Sequence, residues 1–155
     1  MNATQLVQNY PKIILFDGVC NLCAAWVQFV VKRDKLGQFK FASVQSAEGQ
    51  ALLTWCGLPT TQFDTMVYIE NGQAYYKTQA FFKIVAQFNW AWRVFAKVSQ
   101  IMPVVIRDWL YDRIAQNRYR LFGKRDVCLM PNAQLNQRFL SVDVLRVSNQ
   151  NVNRP

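Results

Sequence analysis

The chain of 155 residues contains no histidine. That absence excludes Ser-His-Asp triads, Cys-His dyads and every His-ligated metal site, so the available chemistry rests on Cys, Asp, Arg, Lys, Tyr or backbone groups. Charge is scarce as well: 17% of residues are charged, with 9 acidic against 18 basic and a net charge of +9, where soluble domains carry roughly 25% charged residues. An anionic partner or a membrane surface is therefore among the partners to consider. Long apolar runs are missing too. The longest uncharged stretch, Gly49 to Phe63, carries Thr, Gln and Pro, whereas a spanning helix needs about 20 mostly apolar residues. The opening M-N-A-T-Q-L-V-Q-N-Y-P has neither a basic n-region nor an apolar h-region, so it does not read as a secretory signal. A cytoplasmic location follows as the expectation, with cysteines kept mostly as thiols rather than as a disulfide framework.

What is present is hydrophobic, 52% of residues with 14% aromatic, enough for one domain with a real core. Lys12 to Phe16 is a short apolar run of the kind found in a strand covered on both faces. Leu22 to Lys35 reads as a helix with Trp26, Val27, Val30 and Val31 on one stripe and Lys32, Arg33 and Lys35 near its negative end. Phe39 to Val44 alternates as a second strand, parallel to the first across a right-handed crossover. Ser46 is placed to cap a helix reaching Trp55 or Cys56, which Gly57 and Pro59 stop. Asn71-Gly72, between Thr65–Glu70 and Gln73–Lys77, is a type I′ hairpin signal because both residues tolerate positive φ. Thr78 is expected to cap a helix through Phe88 whose apolar side is Phe81, Phe82, Val85 and Phe88.

The resulting β-α-β-α-β-β-α order is that of a thioredoxin-like α/β unit. A helical C-terminal extension follows: Trp90 to Gln100, a break at Met102-Pro103, then one helix to about Phe122 that Gly123 ends. Ile106, Leu110, Ile114 and Leu121 form its expected buried stripe, with Arg107, Arg113, Arg118 and Arg120 on polar positions. The division is residues 1–11 as an N-terminal extension, 12–131 as one domain (12–88 core unit, 89–131 extension), and 132–155 as a polar tail expected to be mobile.

The segment that carries chemistry is D-G-V-C-N-L-C, Asp17 to Cys23, where the first strand gives way to the first helix. A thiol at a helix start meets unpaired backbone N–H groups and the positive end of the dipole, both of which favour thiolate. Cys20 occupies that place. Cys23, about one turn on, is close enough for a disulfide. Cys20 can therefore act as nucleophile on a substrate disulfide, with Cys23 resolving the mixed disulfide. The competing readings are a pair of inert thiols and half a zinc site, for which the remaining soft ligands, Cys56 and Cys128, stand far apart in the chain. No metal or cofactor is expected beyond the redox-active pair.

These residues resemble the DCC family of thiol-disulfide oxidoreductases, named for the Asp and two Cys seen here as Asp17, Cys20 and Cys23. F-D-G-V-C-N-L-C, V-K-R-D, F-A-S-V-Q-S and the late I-A-Q-N-R-Y-R-L-F-G-K-R with Cys128 carry the resemblance, over about residues 12 to 131. It implies a thioredoxin-like fold with thiol-disulfide activity. The substrate expected for the cysteine pair itself is a thiol or disulfide, carried by a protein. Asn21-Leu22 stands where thioredoxins place Gly-Pro. Phe63-Asp64-Thr65 precedes the third strand where a cis-proline is usual, and Asp64 and Thr65 are taken as candidates for substrate or anion contact.

Asp17 has two readings. Its carboxylate either accepts backbone N–H bonds in an Asx-type turn or exchanges a proton with Cys23 during resolution, a role that requires it to titrate unusually high. I-L-F-D-G also compares with the aspartyl nucleophile segment of haloacid dehalogenase-like phosphatases, but Val19 stands where their second Asp belongs. Cys56 reads as a core thiol, and Cys128 as core or as a third redox participant. Arg118, Arg120, Lys124 and Arg125, interleaved with Tyr119 and Phe122, form either an anion site or a solvated helix end, with nucleic acid disfavoured. Arg118 and Arg120, two apart, cannot face the same way. The aromatic segment Phe88 to Phe95 reads as core ahead of a membrane-surface face. The rival to redox catalysis is a non-catalytic module that docks an acidic partner or membrane through the basic C-terminal helix.

Overall fold

A computed structural model describes residues 2–61, 65–123 and 138–140. The chain runs α1 (Ala3–Asn9), β1 (Lys12–Phe16), α2 (Asn21–Arg33), β2 (Lys40–Ser43), α3 (Ala47–Trp55), β3 (Val67–Glu70), β4 (Gln73–Tyr76), α4 (Lys77–Val85), α5 (Trp90–Ser99), α6 (Val104–Gln116) and α7 (Arg118–Phe122). The sheet order is β2-β1-β3-β4. β1 runs parallel to β2 and antiparallel to β3, and β3 antiparallel to β4. This is a thioredoxin-like α/β fold.

The alternation of β1 builds two cores. Ile13 and Leu15 meet Leu6 and Val7 of α1 and Leu52 and Leu53 of α3; Ile14 and Phe16 meet Val27 and Val30 of α2 and Ala80 and Ile84 of α4. A strand buried on both faces reads as a continuous apolar run, which is why K-I-I-L-F does not alternate. Ser46 caps α3, its side chain accepting the Gly49 N–H. A Cβ at Gly49 would collide with the Ser43 carbonyl, so glycine lets α3 lie against the end of β2. Asn71 and Gly72 take φ of 50° and 81°, the turn their dipeptide requires.

Five expectations need correction. Thr78 does not cap α4: the helix starts at Lys77, and Thr78 Oγ1 donates to Asp108 of α6. Lys77 adopts a φ of 53° and pairs with Asp112 at 2.9 Å. Two carboxylates one turn apart on α6 thus hold the positive end of α4. The helix expected to run unbroken to Phe122 turns at Asn117, separating α6 from α7. The expected buried stripe is also wrong: Ile106, Leu110, Ile114 and Leu121 are 45–64% exposed, and α6 and α7 bury Ala115 and Arg118 instead. Periodicity finds an apolar face without showing what it faces, and α6 turns its charged side toward α4. Finally, Arg138–Leu140, placed by the sequence in a mobile tail, lie beside β2. Phe41 N–H donates to the Arg138 carbonyl, Leu140 N–H to the Phe41 carbonyl, and Arg138 pairs with buried Asp34 at 2.7 Å. The aromatic segment divides as well, with Phe88 packed against the core while Trp90 and Phe95 are exposed.

Candidate active site

The strand-to-helix turn is built on Asp17. Val19 N–H donates to Asp17 Oδ1 at 3.1 Å, and Gln45 Nε2 donates to the same oxygen at 2.7 Å. Gln45 Oε1 in turn accepts the Gly18 N–H at 3.0 Å, so one amide fixes both sides of the turn. The second oxygen, Oδ2, faces α7: Arg118 Nη2 lies 3.2 Å away and the Tyr119 hydroxyl donates to it. Arg118 Nη1 donates to the Ala115 carbonyl at 3.0 Å. Asp17 and Arg118 are both buried, so each charge answers the other's lost hydration.

Burial would raise the pKa of Asp17, but hydrogen bonds from Tyr119, Gln45, the Val19 N–H and Arg118 hold it below its ordinary value. The carboxylate stays ionised, which the proton-exchange role does not permit. The Asx-type turn is the reading the geometry supports. Burial raises the Tyr119 hydroxyl to about 12, with its bond to Asp17 acting in the same direction.

Cys20 is the residue preceding the first turn of α2, with no side-chain capping bond. It is fully buried. Asn21 ties this helix end to α7: its N–H faces the Gly123 carbonyl and its Nδ2 donates to the Phe122 carbonyl at 2.8 Å. Gly123 ends α7 at a φ of 84°, and a Cβ there would press on Asn21 Nδ2 at 3.0 Å. Cys23 is partly exposed. Burial and the adjoining Cys20 sulfur push its thiol up to about 12, opposed by the Asp17 backbone and the Arg118 charge.

Cys23 opens onto a cavity of about 240 Å³. Its wall is apolar: Phe16, Leu22, Trp26, Met66 and Phe81 stand there, with Tyr111, Ile114 and Ala115 closing it from α6. The Tyr111 hydroxyl accepts the Met66 N–H at 2.6 Å, which ties α6 to the start of β3. Thr65 and Arg118 also line the cavity.

The DCC1-like thiol-disulfide oxidoreductase family profile matches residues 14–124. The chain belongs to that family. It is 46% identical over 129 residues, 83% of this chain and 93% of the relative, to the uncharacterized protein YuxK of Bacillus subtilis (strain 168). It is 38% identical over 116 residues, 75% of this chain and 67% of the relative, to a chloroplastic DCC family protein of Arabidopsis thaliana. No solved structure matches significantly.

Within this DCC1-like chain the structure joins Asp17, Cys20, Cys23, Thr65 and Arg118 at one site. Arg120 is exposed on α7, which agrees with the expectation that the two arginines face differently. Asp64 and Cys128 lie outside the described residues. Cys56 packs with Leu58 and Tyr76 against the core on the α1 and α3 side, across the sheet from Cys23. Burial raises its thiol pKa. Among the described residues no three metal-ligating side chains converge, and no helix is long and apolar enough to cross a membrane. Sequence reasoning missed Gln45, Tyr111 and the bond from Tyr119 to Asp17. Gln45 sits inside F-A-S-V-Q-S, one of the segments that carried the resemblance.

Proposed function

We propose that the chain is a thiol-disulfide oxidoreductase in which Cys20 attacks a substrate disulfide and Cys23 resolves it. The observation carrying this reading is the position of the pair: Cys20 at the start of α2, Cys23 in its first turn and facing a cavity. In the first step the Cys20 thiolate forms a bond to one substrate sulfur, and the other leaves as a thiolate that takes up a proton. Cys23 then gives up its proton as it attacks the Cys20 sulfur, forming the Cys20–Cys23 disulfide and releasing the second substrate thiol. Two electrons pass from the dithiol to the substrate. The reverse sequence oxidises a dithiol.

A Cys23 thiol held protonated suits the second position, where its proton leaves only during resolution. Asp17 serves as a positioning residue that fixes the turn and binds Arg118 beside Cys23. The apolar wall of the cavity suits a substrate with an apolar group next to its sulfur. A cytoplasmic location, where thiols stay reduced, belongs to the same reading.

Equilibration of the full-length protein in thiol-disulfide buffers of graded ratio, with acid quenching and mass mapping, tests it. A single two-electron transition joining Cys20 to Cys23 is expected. A pair that never links, or links only under denaturing conditions, overturns the reading.

A further inference from the structure

Between α4, α5 and α6 lies a second cleft, of about 540 Å³, remote in chemistry from the cysteine site. Lys83, Arg93, Lys97 and Arg107 line it together with Gln79 and Gln100, and among the described residues no carboxylate does. Arg107 Nε is buried with no hydrogen-bond partner among the described residues, and its guanidinium stands over the Phe82 ring at 5.4 Å. Lys83 reaches Glu70 only at 3.7 Å, and no salt bridge of the described residues engages Arg93, Lys97 or Arg107. Lys83 is shared with Glu70 and the Tyr75 ring, whereas Arg93, Lys97 and Arg107 place three like charges around one cleft, a field that attracts an anion. An anion seated there would bond the guanidinium and ammonium groups that line the cleft.

Beside the cleft is an apolar face that no described residue covers. On α5 the cleft takes Arg93, Ala96, Lys97 and Gln100, at helical spacing, and the neighbouring row is Trp90, Val94 and Val98, continued by Ile101. Trp90 is 76% exposed, Ile101 83% and Val105 of α6 80%, with Val94, Val98 and Trp109 at least half exposed. Contiguous apolar exposure on this scale marks an interaction surface. Apolar residues with tryptophan on one side and cations at their border are the arrangement of a helix lying in a membrane interface. A second copy of the chain would bring a like-charged border against this one, in a molecule of net charge +9.

We propose that the α5–α6 face rests on an anionic phospholipid bilayer, with a lipid phosphate seated in the cleft between α4, α5 and α6. The apolar row enters the interface and the cations meet the headgroups. Each cation near an anionic surface contributes roughly fivefold to partitioning. The proposal does not depend on the cysteine chemistry.

Sedimentation of the full-length protein with phosphatidylcholine vesicles, with or without about 30% phosphatidylglycerol, tests it. Partitioning at least about tenfold stronger on the anionic vesicles is expected, weakening as added salt screens the charges. The double variant Arg93→Gln/Lys97→Gln should lose at least about tenfold, and Ile101→Ser should also weaken binding, whereas Lys32→Gln on α2 should not. Equal or absent partitioning on the two vesicle types overturns the proposal, as does an equal loss from Lys32→Gln and the double variant. Inorganic phosphate binding to the cleft without vesicle binding would assign a soluble anion instead. A dimer in analytical ultracentrifugation that Ile101→Ser dissociates would assign the face to a second copy.

Discussion

Asp17 divides its work between its two oxygens: Oδ1 holds the turn through Val19 and Gln45, and Oδ2 meets Arg118 and Tyr119 from the far end of the chain. Removing either charge breaks a buried ion pair, which costs about 3 kcal/mol or more. Arg118→Ala and Asp17→Asn are each expected to lower Tm by roughly 6–12 °C. Arg120→Ala, on the exposed side of α7, should change stability by no more than about 0.5 kcal/mol. Calorimetry of the three variants checks the asymmetry. The pH dependence follows from the lowered pKa of Asp17. Its contribution is fully present above the unfolded value of about 3.9 and is lost as pH falls through the lower folded value. The stability difference between wild type and Asp17→Asn should therefore be flat from about pH 7 to 5 and shrink below about pH 4. A difference that shrinks already near pH 6 would restore the proton-carrier role. At this scale the cysteine pair is legible in the sequence, because spacing and helix start are local properties. The partner of Asp17 is legible only as a choice between Arg118 and Arg120, since Arg118 lies 101 positions away and spacing alone does not say which of the two turns inward.

Among the elements, α7 has a role beyond its length. Only five residues long, it buries Arg118 against the turn of Asp17 and accepts Asn21 bonds at its C-terminal end. Cys20 is fully buried at this same helix start, so attack on a substrate requires the start of α2 to open, and the Asn21 bonds to α7 are contacts that would resist it. Asn21→Ala removes the 2.8 Å bond to the Phe122 carbonyl and should speed alkylation of Cys20 by roughly five- to tenfold, the factor a lost bond of about 1–1.4 kcal/mol allows. Peptide mapping after timed alkylation measures this. An unchanged rate would mean that the bond does not limit access. The sequence locates β1, α2, β2, α3 and the Asn71-Gly72 hairpin within a residue or two because caps, glycines and periodicity are encoded locally. It fails at the join of α6 and α7, where the break serves a distant contact, and at the start of α4, where Asp108 and Asp112 replace a local cap.

Over the whole molecule, the sheet separates two chemistries. Cys20, Cys23 and the apolar cavity lie on the α2 and α4 side, and Cys56 lies on the other. Helices α5 and α6, each packed on α4, add a basic cleft and an apolar face that hydropathy alone assigned to the core. Fold class and the reactive pair were readable because each depends on short-range pattern. The outward direction of α5 and α6 was not, since an apolar stripe looks the same whether it meets protein, lipid or water. The central claim is that electrons move through Cys20 and Cys23 in that order. Its most direct measurement is trapping with Cys23→Ser: the protein is mixed with a disulfide substrate, quenched in acid and mapped by mass spectrometry. The expected product is a stable mixed disulfide on Cys20, while wild type passes on to the Cys20–Cys23 disulfide and releases both substrate thiols. A variant that forms no adduct, or forms it on Cys56 or Cys128 while Cys20 stays a free thiol, would contradict the account.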